Sequence, residues 1–448
     1  MQHNGDDSDR QPATRLLRVL GVGFGLAVII GNTIGAGILS TPGKIAEQLP
    51  NPWLFLAVWL VGGLYALLGA VSIAELGTML PRSGGQYVFA RHALGDYAGF
   101  VVGWSDWIST CGSTSFISLV IAQYATVLFP SLGGKDAAIA LAIVLVFAII
   151  QWRGIRWGSG VQNITSLLKT LAYVALVVAC FLLAGRSHVE SLRVLEAPTG
   201  VALFVAAILA LQGVIYTYDG WTGVIYFSEE VKDPARDIPR SMIGGVLSVI
   251  AIYLLVNIAV LYVLPISEVA GSDLALGKAA GAIFGPNGDR IFRSLMILAM
   301  LSAVNACQLM ATRVLFAMSR DGLFSTRGAQ ANKGGTPTVA LFFSTIVALL
   351  FILTGTVDQV LAVVAFFFVV NYAVSFLVVF LLRRREPDRP RPYRAWGYPW
   401  TTGLTLLGSI GFLAGAVASD TRNSLYALLL LAASYPTYRF SKWLTHRQ

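Results

Sequence analysis

A chain of 448 residues that is 56% hydrophobic and only 12% charged has far too little polar surface to cover a water-soluble globule. Its natural solvent is lipid. A bilayer is crossed by roughly 20 mostly apolar helical residues, and about twelve such stretches can be placed, which leaves no soluble domain of useful size.

In chain order, residues 1–15 are polar and lack a short apolar core with a small-residue cleavage site, so they are expected to be a retained tail rather than a signal peptide. Spans are expected near 19–46, 52–80, 97–129, 137–152, 162–184, 202–228, 241–264, 291–318, 338–354, 358–381, 401–418 and 423–440. Cys111, Cys180 and Cys307 fall within these spans, where cysteine serves as a small packing residue. His3, His92, His188 and His446 fall in tails or loops, so no intramembrane histidine is available as a proton relay. Neither metal nor redox chemistry nor a bound cofactor is expected.

Lys and Arg set the orientation. Arg10, Arg15 and Arg18 precede the first span, Arg82 and Arg91 follow the second, and Arg153 and Arg156 follow the fourth. Lys232, Arg236 and Arg240, then Arg320, Arg327 and Lys333, then Arg383, Arg384, Arg385, Arg389, Arg391 and Arg394 fall on the same side. The opposite side has the sparser Lys44, Lys135, Arg186, Arg193, Lys278, Arg290, Arg293 and Arg422, so both termini are expected to be cytoplasmic. The net charge of +9 is thus mostly topology. The run R-R-R-E-P-D-R-P-R-P-Y-R sits in a short loop with no folded module around it, which favours anionic lipid head groups over nucleic acid. Asn163 opens a formal N-glycosylation triplet, but at the cytoplasmic start of the fifth span, where it is a false match.

The first span reads G-F-G-L-A-V-I-I-G-N-T-I-G-A-G-I-L-S-T-P-G, with Gly31, Gly35 and Gly37 around Asn32 and Thr33 in mid-membrane. Each glycine weakens a helix by about 1 kcal/mol relative to alanine and lets backbone amides approach a ligand. Close helix packing is the competing reading, since Gly31 and Gly35 also fit G-x-x-x-G. The sixth span, Q-G-V-I-Y-T-Y-D-G-W-T-G-V-I-Y, places Asp219, Gly220 and Gly223 inside an apolar helix. A carboxylate there costs about 2.5 to 3.5 kcal/mol on insertion scales. Asp219 is expected to cap a resumed half-helix by accepting from the amides of Trp221 or Thr222, with direct ligand contact as the alternative. Both require a break.

Breaks in the first and sixth spans divide the chain into two five-span units that enter from opposite sides. This is an all-α, LeuT-like five-plus-five inverted repeat with discontinuous helices 1 and 6. Residues 1–18 form a tail, 19–184 the first repeat, 202–381 the second, 401–440 two additional helices and 441–448 a second tail. Half-helix amides attract an anionic group and freed carbonyls a cation, so a zwitterion with both charges one carbon apart satisfies the site.

At these residues the chain resembles the amino acid–polyamine–organocation (APC) superfamily, and within it the L-type amino-acid transporter branch. The resemblance runs nearly end to end. It rests on I-G-A-G-I, A-E-L-G-T-M-L-P-R-S-G-G-Q-Y, Y-D-G-W, S-E-E-V-K-D-P-A-R-D-I-P-R-S, A-T-R-V-L-F-A-M-S-R-D-G-L-F and P-R-P-Y-R-A-W-G-Y-P. It implies that backbone around Thr33, Ile34, Gly35, Ala36 and Gly37 holds a substrate carboxylate. Carbonyls near Tyr216, Thr217 and Asp219 would hold its ammonium, and the Tyr216 ring, where family members often carry Phe or Trp, would close over it. Tyr253 matches a tyrosine used near the inner side of the site. Lys169 lies about 12 Å into the fifth span, too deep for a comfortable escape to the interface, although a snorkelling cytoplasmic lysine is the alternative. In sodium-independent relatives a matching lysine stands where related symporters hold sodium.

The implied function is sodium-independent amino-acid transport, by exchange of neutral L-amino acids. A proton-coupled, polyamine or cationic amino-acid carrier would favour an extra carboxylate, for which Asp106 and Asp219 are the candidates. Glu75, near a cytoplasmic end, reads as structural. A sensor or channel would want an output domain that the short tails do not supply, and neither H-E-x-x-H nor G-x-S-x-G is present to suggest an enzyme. Eukaryotic members of the branch join a heavy chain through a cysteine between the third and fourth spans. The loop F-P-S-L-G-G-K-D has none, so no disulfide-linked partner is expected.

Overall fold

The computed structural model describes residues 16–35, 37–183, 195–354, 357–419 and 421–445. Ala36 lies outside the described residues, as do His3, Arg10, Arg15, Arg186, His188, Arg193 and His446. The architecture is all-α. In chain order the helices are α1 (Val22–Thr33), α2 (Gly37–Gln48), α3 (Pro52–Met79), α4 (Gln86–Leu94), α5 (Asp96–Leu128), α6 (Asp136–Trp152), α7 (Ile155–Leu183) and α8 (Gly200–Thr217). They continue as α9 (Pro234–Val263), α10 (Ile266–Val269), α11 (Ala275–Phe284), α12 (Gly288–Arg320), α13 (Thr338–Thr354), α14 (Val357–Arg385), α15 (Trp400–Ser419) and α16 (Thr421–Thr445).

A helix stands at each of the twelve expected stretches. By length and composition, eight among the described residues qualify as membrane spans, or nine when α1 and α2, bent by 49°, count as one. The apolar α6 and α13, at 17 residues each, reach only about 25 Å at 1.5 Å per residue. Local chemistry sets several ends. At the start of α3, Asn51 Oδ1 accepts from the amides of Trp53 (2.9 Å) and Leu54 (3.2 Å), with Pro52 at the first helical position. Large apolar side chains such as Leu64, Val146, Leu171, Phe204 and Leu407 face outward, as a lipid-solvated bundle requires.

Two expected boundaries shift. The fifth span begins at Ile155 rather than 162, so Asn163 is already inside it and Lys169 lies fourteen residues in, about 21 Å along the axis. The sixth span does not resume as an α-helix: after Thr217 the chain turns and continues as a 3-10 stretch, Gly223–Phe227, with no side-chain cap. With no α-helical N-terminus there, Asp219 caps no half-helix, and the backbone amide its carboxylate meets is that of Gly220.

Charged residues that read as topology signals also hold the bundle together. Glu75, in α3, is buried and accepts from Arg383 Nε (2.9 Å) and Nη2 (2.6 Å) of α14 and from the Ala395 amide (2.7 Å), with Arg391 Nε at 3.2 Å. Part of the basic run assigned to lipid head groups is therefore an internal clamp. Arg313 of α12 and Glu230, both fully buried, form a bidentate pair at 2.9 and 3.0 Å. Glu230 also anchors the segment before α1 through its carbonyl, which accepts from the Leu20 amide at 3.0 Å. Removing one partner of such a pair strands a buried charge at a cost of about 3–5 kcal/mol. Glu230→Gln or Arg313→Met is therefore expected to lower the melting temperature of the detergent-solubilised protein sharply. The double variant Glu230→Leu/Arg313→Met is expected to recover part of the loss.

Candidate functional site

The two breaks meet in the middle of the bundle. Gly220 takes φ +110°, and a Cβ there would stand 2.8 Å from Asn32 Nδ2 and 2.9 Å from the Thr33 amide. Only glycine lets the backbones approach this closely. Gly37, opening α2, faces Thr217 just as tightly, with Thr217 Cα 3.2 Å from the place of a Cβ. The glycines of the first break have different uses. A Cβ on Gly31 would strike Gln162 and Ser166, so Gly31 serves helix packing, whereas Gly35 has open space before it.

The freed carbonyls are accounted for one by one. Lys169, fully buried, donates from Nζ to Gly31 O (2.8 Å) and Ile34 O (2.5 Å), which excludes the snorkelling alternative. Tyr253 Oη, also fully buried, lies 2.8 Å from Thr33 O and 3.0 Å from Thr217 O and joins the two breaks with one hydroxyl. Gln162 Nε2 (3.1 Å) and Ser166 Oγ (2.7 Å) donate to Ala27 O. Gln162, Ser166 and Lys169 are spaced i, i+4, i+7 and form one polar stripe on α7 aimed at α1. That spacing is present in the sequence, but only Lys169 was singled out there.

Beside the breaks lies a cavity of about 110 Å³. Of the expected substrate residues, Thr33, Gly35, Gly37, Tyr216, Thr217 and Asp219 line it, together with Gly220. Ile34, Tyr253, Lys169 and Gly31 do not line it and stand behind its wall. The Asp219 carboxylate accepts from Tyr372 Oη of α14. Tyr372, Gln86, Thr110, Ser113 and Cys307 add to the polar lining and come from helices distant in the chain, which is why sequence reading missed them, while Asn32, Thr222 and Tyr226 line it from beside the two breaks. Asp106 accepts from Tyr226 Oη at 2.9 Å, which supplies the partner that its position in the sequence left open. Thr33 Oγ1 is buried at the cavity edge with no partner among the described residues. The first-turn amides of α2 carry the positive end of its dipole, and Thr217 O keeps a lone pair beyond the one facing Tyr253. One cavity thus offers both an anion-favouring and a cation-favouring backbone end.

The family profile described as "Amino acid permease" matches residues 25–434. The serine/threonine exchanger SteT of Bacillus subtilis (strain 168) is 30% identical over 431 residues, covering 94% of this chain and 96% of that protein. The human b(0,+)-type amino acid transporter 1 is 26% identical over 440 residues, covering 96% and 89%. The human large neutral amino acids transporter small subunit 2 is 27% identical over 410 residues, covering 87% and 76%. The chain belongs to the amino acid permease family of the APC superfamily and is a multi-pass membrane transporter rather than an enzyme.

Proposed function

We propose that the chain exchanges neutral L-amino acids across the plasma membrane without sodium, by alternating access at the cavity between the two breaks. The observation that carries the reading is the Lys169 ammonium bonded to Gly31 O and Ile34 O. A sodium ion at the break would need those carbonyls, and an ammonium already holding them both occupies the oxygens and repels a second cation. The cavity of about 110 Å³ supports a small zwitterion, being well below the roughly 300–1,000 Å³ of pockets for drug-sized ligands.

In this reading the substrate carboxylate meets backbone around Thr33, Ile34, Gly35, Ala36 and Gly37. The ammonium meets carbonyls near Tyr216, Thr217 and Asp219, with the Tyr216 ring as the gate. Residues 19–184 and 202–381 act as inverted five-helix units that rock about the site, with two further helices at 401–440. The excess of Lys and Arg in alternate connections supports cytoplasmic termini and contacts with anionic lipid. The absence of cysteine between α5 and α6 supports a chain that works without a disulfide-linked partner.

The test is uptake of labelled neutral amino acids into proteoliposomes preloaded with unlabelled amino acid. Uptake is expected to require internal substrate and to be equal in sodium and choline buffers; uptake that appears only with sodium, or without internal substrate, overturns the exchange mechanism. Lys169→Ala strands Ile34 O, leaves Gly31 O only the 3.3 Å contact of Ser302 Oγ, and is expected to reduce exchange at least tenfold. In Gly220→Ala the added methyl would press on the Asn32 and Thr33 backbone at a positive φ, so we expect loss of exchange with a lowered melting temperature. Unchanged exchange in that variant would mean that contact between the breaks is dispensable.

A further inference from the structure

A second cavity, of about 480 Å³, lies between α5, α13 and α16 and shares no lining residue with the one at the breaks. Its walls are apolar: Trp104 and Trp107 come from α5, Phe343, Val347 and Phe351 from α13, and Phe440 from α16. The Trp107 ring stacks on Phe343 with centroids 5.6 Å apart, and Phe324 leans on both, so aromatic side chains fix the shape of the slot. Phe343 and Phe440 are exposed on the outside of the bundle, which opens the slot toward lipid.

The slot sits at one face of the membrane. Asp96 at the start of α5 meets Lys442 near the end of α16 at 3.3 Å, and Ser441 Oγ donates to Leu323 O just beyond α12 at 2.7 Å, so these three ends lie together. With 33 residues α5 is about 50 Å long, whereas the hydrocarbon core is about 30 Å thick, which leaves about 10 Å of helix beyond the core at each end. Trp104, about 12 Å from the start of α5, therefore stands where the hydrocarbon begins. On α13 the lining from Phe343 to Phe351 covers about 12 Å, most of one leaflet's half of the core.

An acyl chain gains no hydrophobic energy by leaving the bilayer for this slot, because lipid tails are as apolar as its walls, so selectivity must come from the polar end. Two observations supply it. Trp104 Nε1 is buried with no partner among the described residues, a donor at the depth of a lipid's ester carbonyls. Arg327, two residues beyond the lining Ser325, and Arg439, beside the lining Phe440, are both exposed at the end of the bundle where a phosphate would lie.

We propose that the slot binds one anionic glycerophospholipid, with an acyl chain between α5, α13 and α16, an ester carbonyl accepting from Trp104 Nε1 and the head group against Arg327 and Arg439. The site is separate from the substrate cavity and holds whichever amino acid is carried.

The test is native mass spectrometry of the full chain in mild detergent, titrated with phosphatidylglycerol or with phosphatidylcholine of the same acyl chains. The wild type is expected to retain one lipid more firmly than any other and to bind phosphatidylglycerol about tenfold more tightly than phosphatidylcholine. Arg327→Gln/Arg439→Gln is expected to bring that ratio to about one. Trp104→Phe keeps the slot but removes the donor, and is expected to weaken phosphatidylglycerol about tenfold, as loss of one hydrogen bond would. Val347→Trp fills the slot and is expected to abolish the firmly held lipid. Should Val347→Trp fail to fold, the two exposed arginines still test the site. A wild type that holds no lipid firmly, holds both lipids equally, or pairs with a second copy of the chain in place of lipid overturns the proposal, as does firm retention undiminished in Val347→Trp.

Discussion

Inside a bilayer no water is available to complete a broken hydrogen-bond ladder, so a helix can be interrupted there only where protein groups take up what the interruption frees. The rest of the site depends on how that demand is met. Lys169 supplies two N–H donors to Gly31 O and Ile34 O. Ser302 Oγ approaches Gly31 O at 3.3 Å, and the Tyr253 hydroxyl sits between Thr33 O and Thr217 O. The Lys169 amine finds acceptors at full burial in these carbonyls, and the carbonyls find donors in it. Removing Lys169 leaves Ile34 O unmatched and Gly31 O with Ser302 Oγ alone, which makes the first break a cooperative unit.

The same economy extends outward from α7. Gln162 bonds Ala27 O and accepts from Asn305 Nδ2 at 2.8 Å, and Gln151 Nε2 donates to Asn305 Oδ1 at 2.9 Å. A continuous polar network thus ties α6, α7 and α12 to the broken α1. Away from the centre, the Glu75 clamp and the Arg313–Glu230 pair hold α3, α12, α14 and the segment following the second break. Buried ion pairs of this kind contribute little net stability compared with apolar packing, but they are unforgiving of a shift in register. Such rigidity suits a frame around a site that must open and close.

The cavity divides its polar groups by direction. Backbone of the two breaks lines one side of it, at Thr33, Gly35, Gly37, Thr217 and Gly220. Two of the hydroxyls around it, Tyr226 and Tyr372, donate to the buried carboxylates of Asp106 and Asp219.

Several features were legible in the sequence because they are local or compositional. The lipid solvent, the helix at each of the twelve stretches and the breaks at Gly35 and Gly220 all follow from hydropathy and from glycine beside a polar residue in an apolar run. The depth of Lys169 also marked it as a residue that needed acceptors. Tertiary structure alone decided how these parts are used. Whether Gly31 packs or opens to ligand depends on Gln162 and Ser166, more than 130 residues away, since a glycine carries no side chain to announce its neighbour. Asp219 read as a cap because capping is a local interaction, yet its carboxylate meets Tyr372, 153 residues on. Glu75 and Arg383 looked like separate signs of a membrane edge, but 308 residues of chain fold to bring them into one clamp. Sequence spacing reports neighbours on one helix, and the partners of a buried charge come from whichever helix the packing sets beside it.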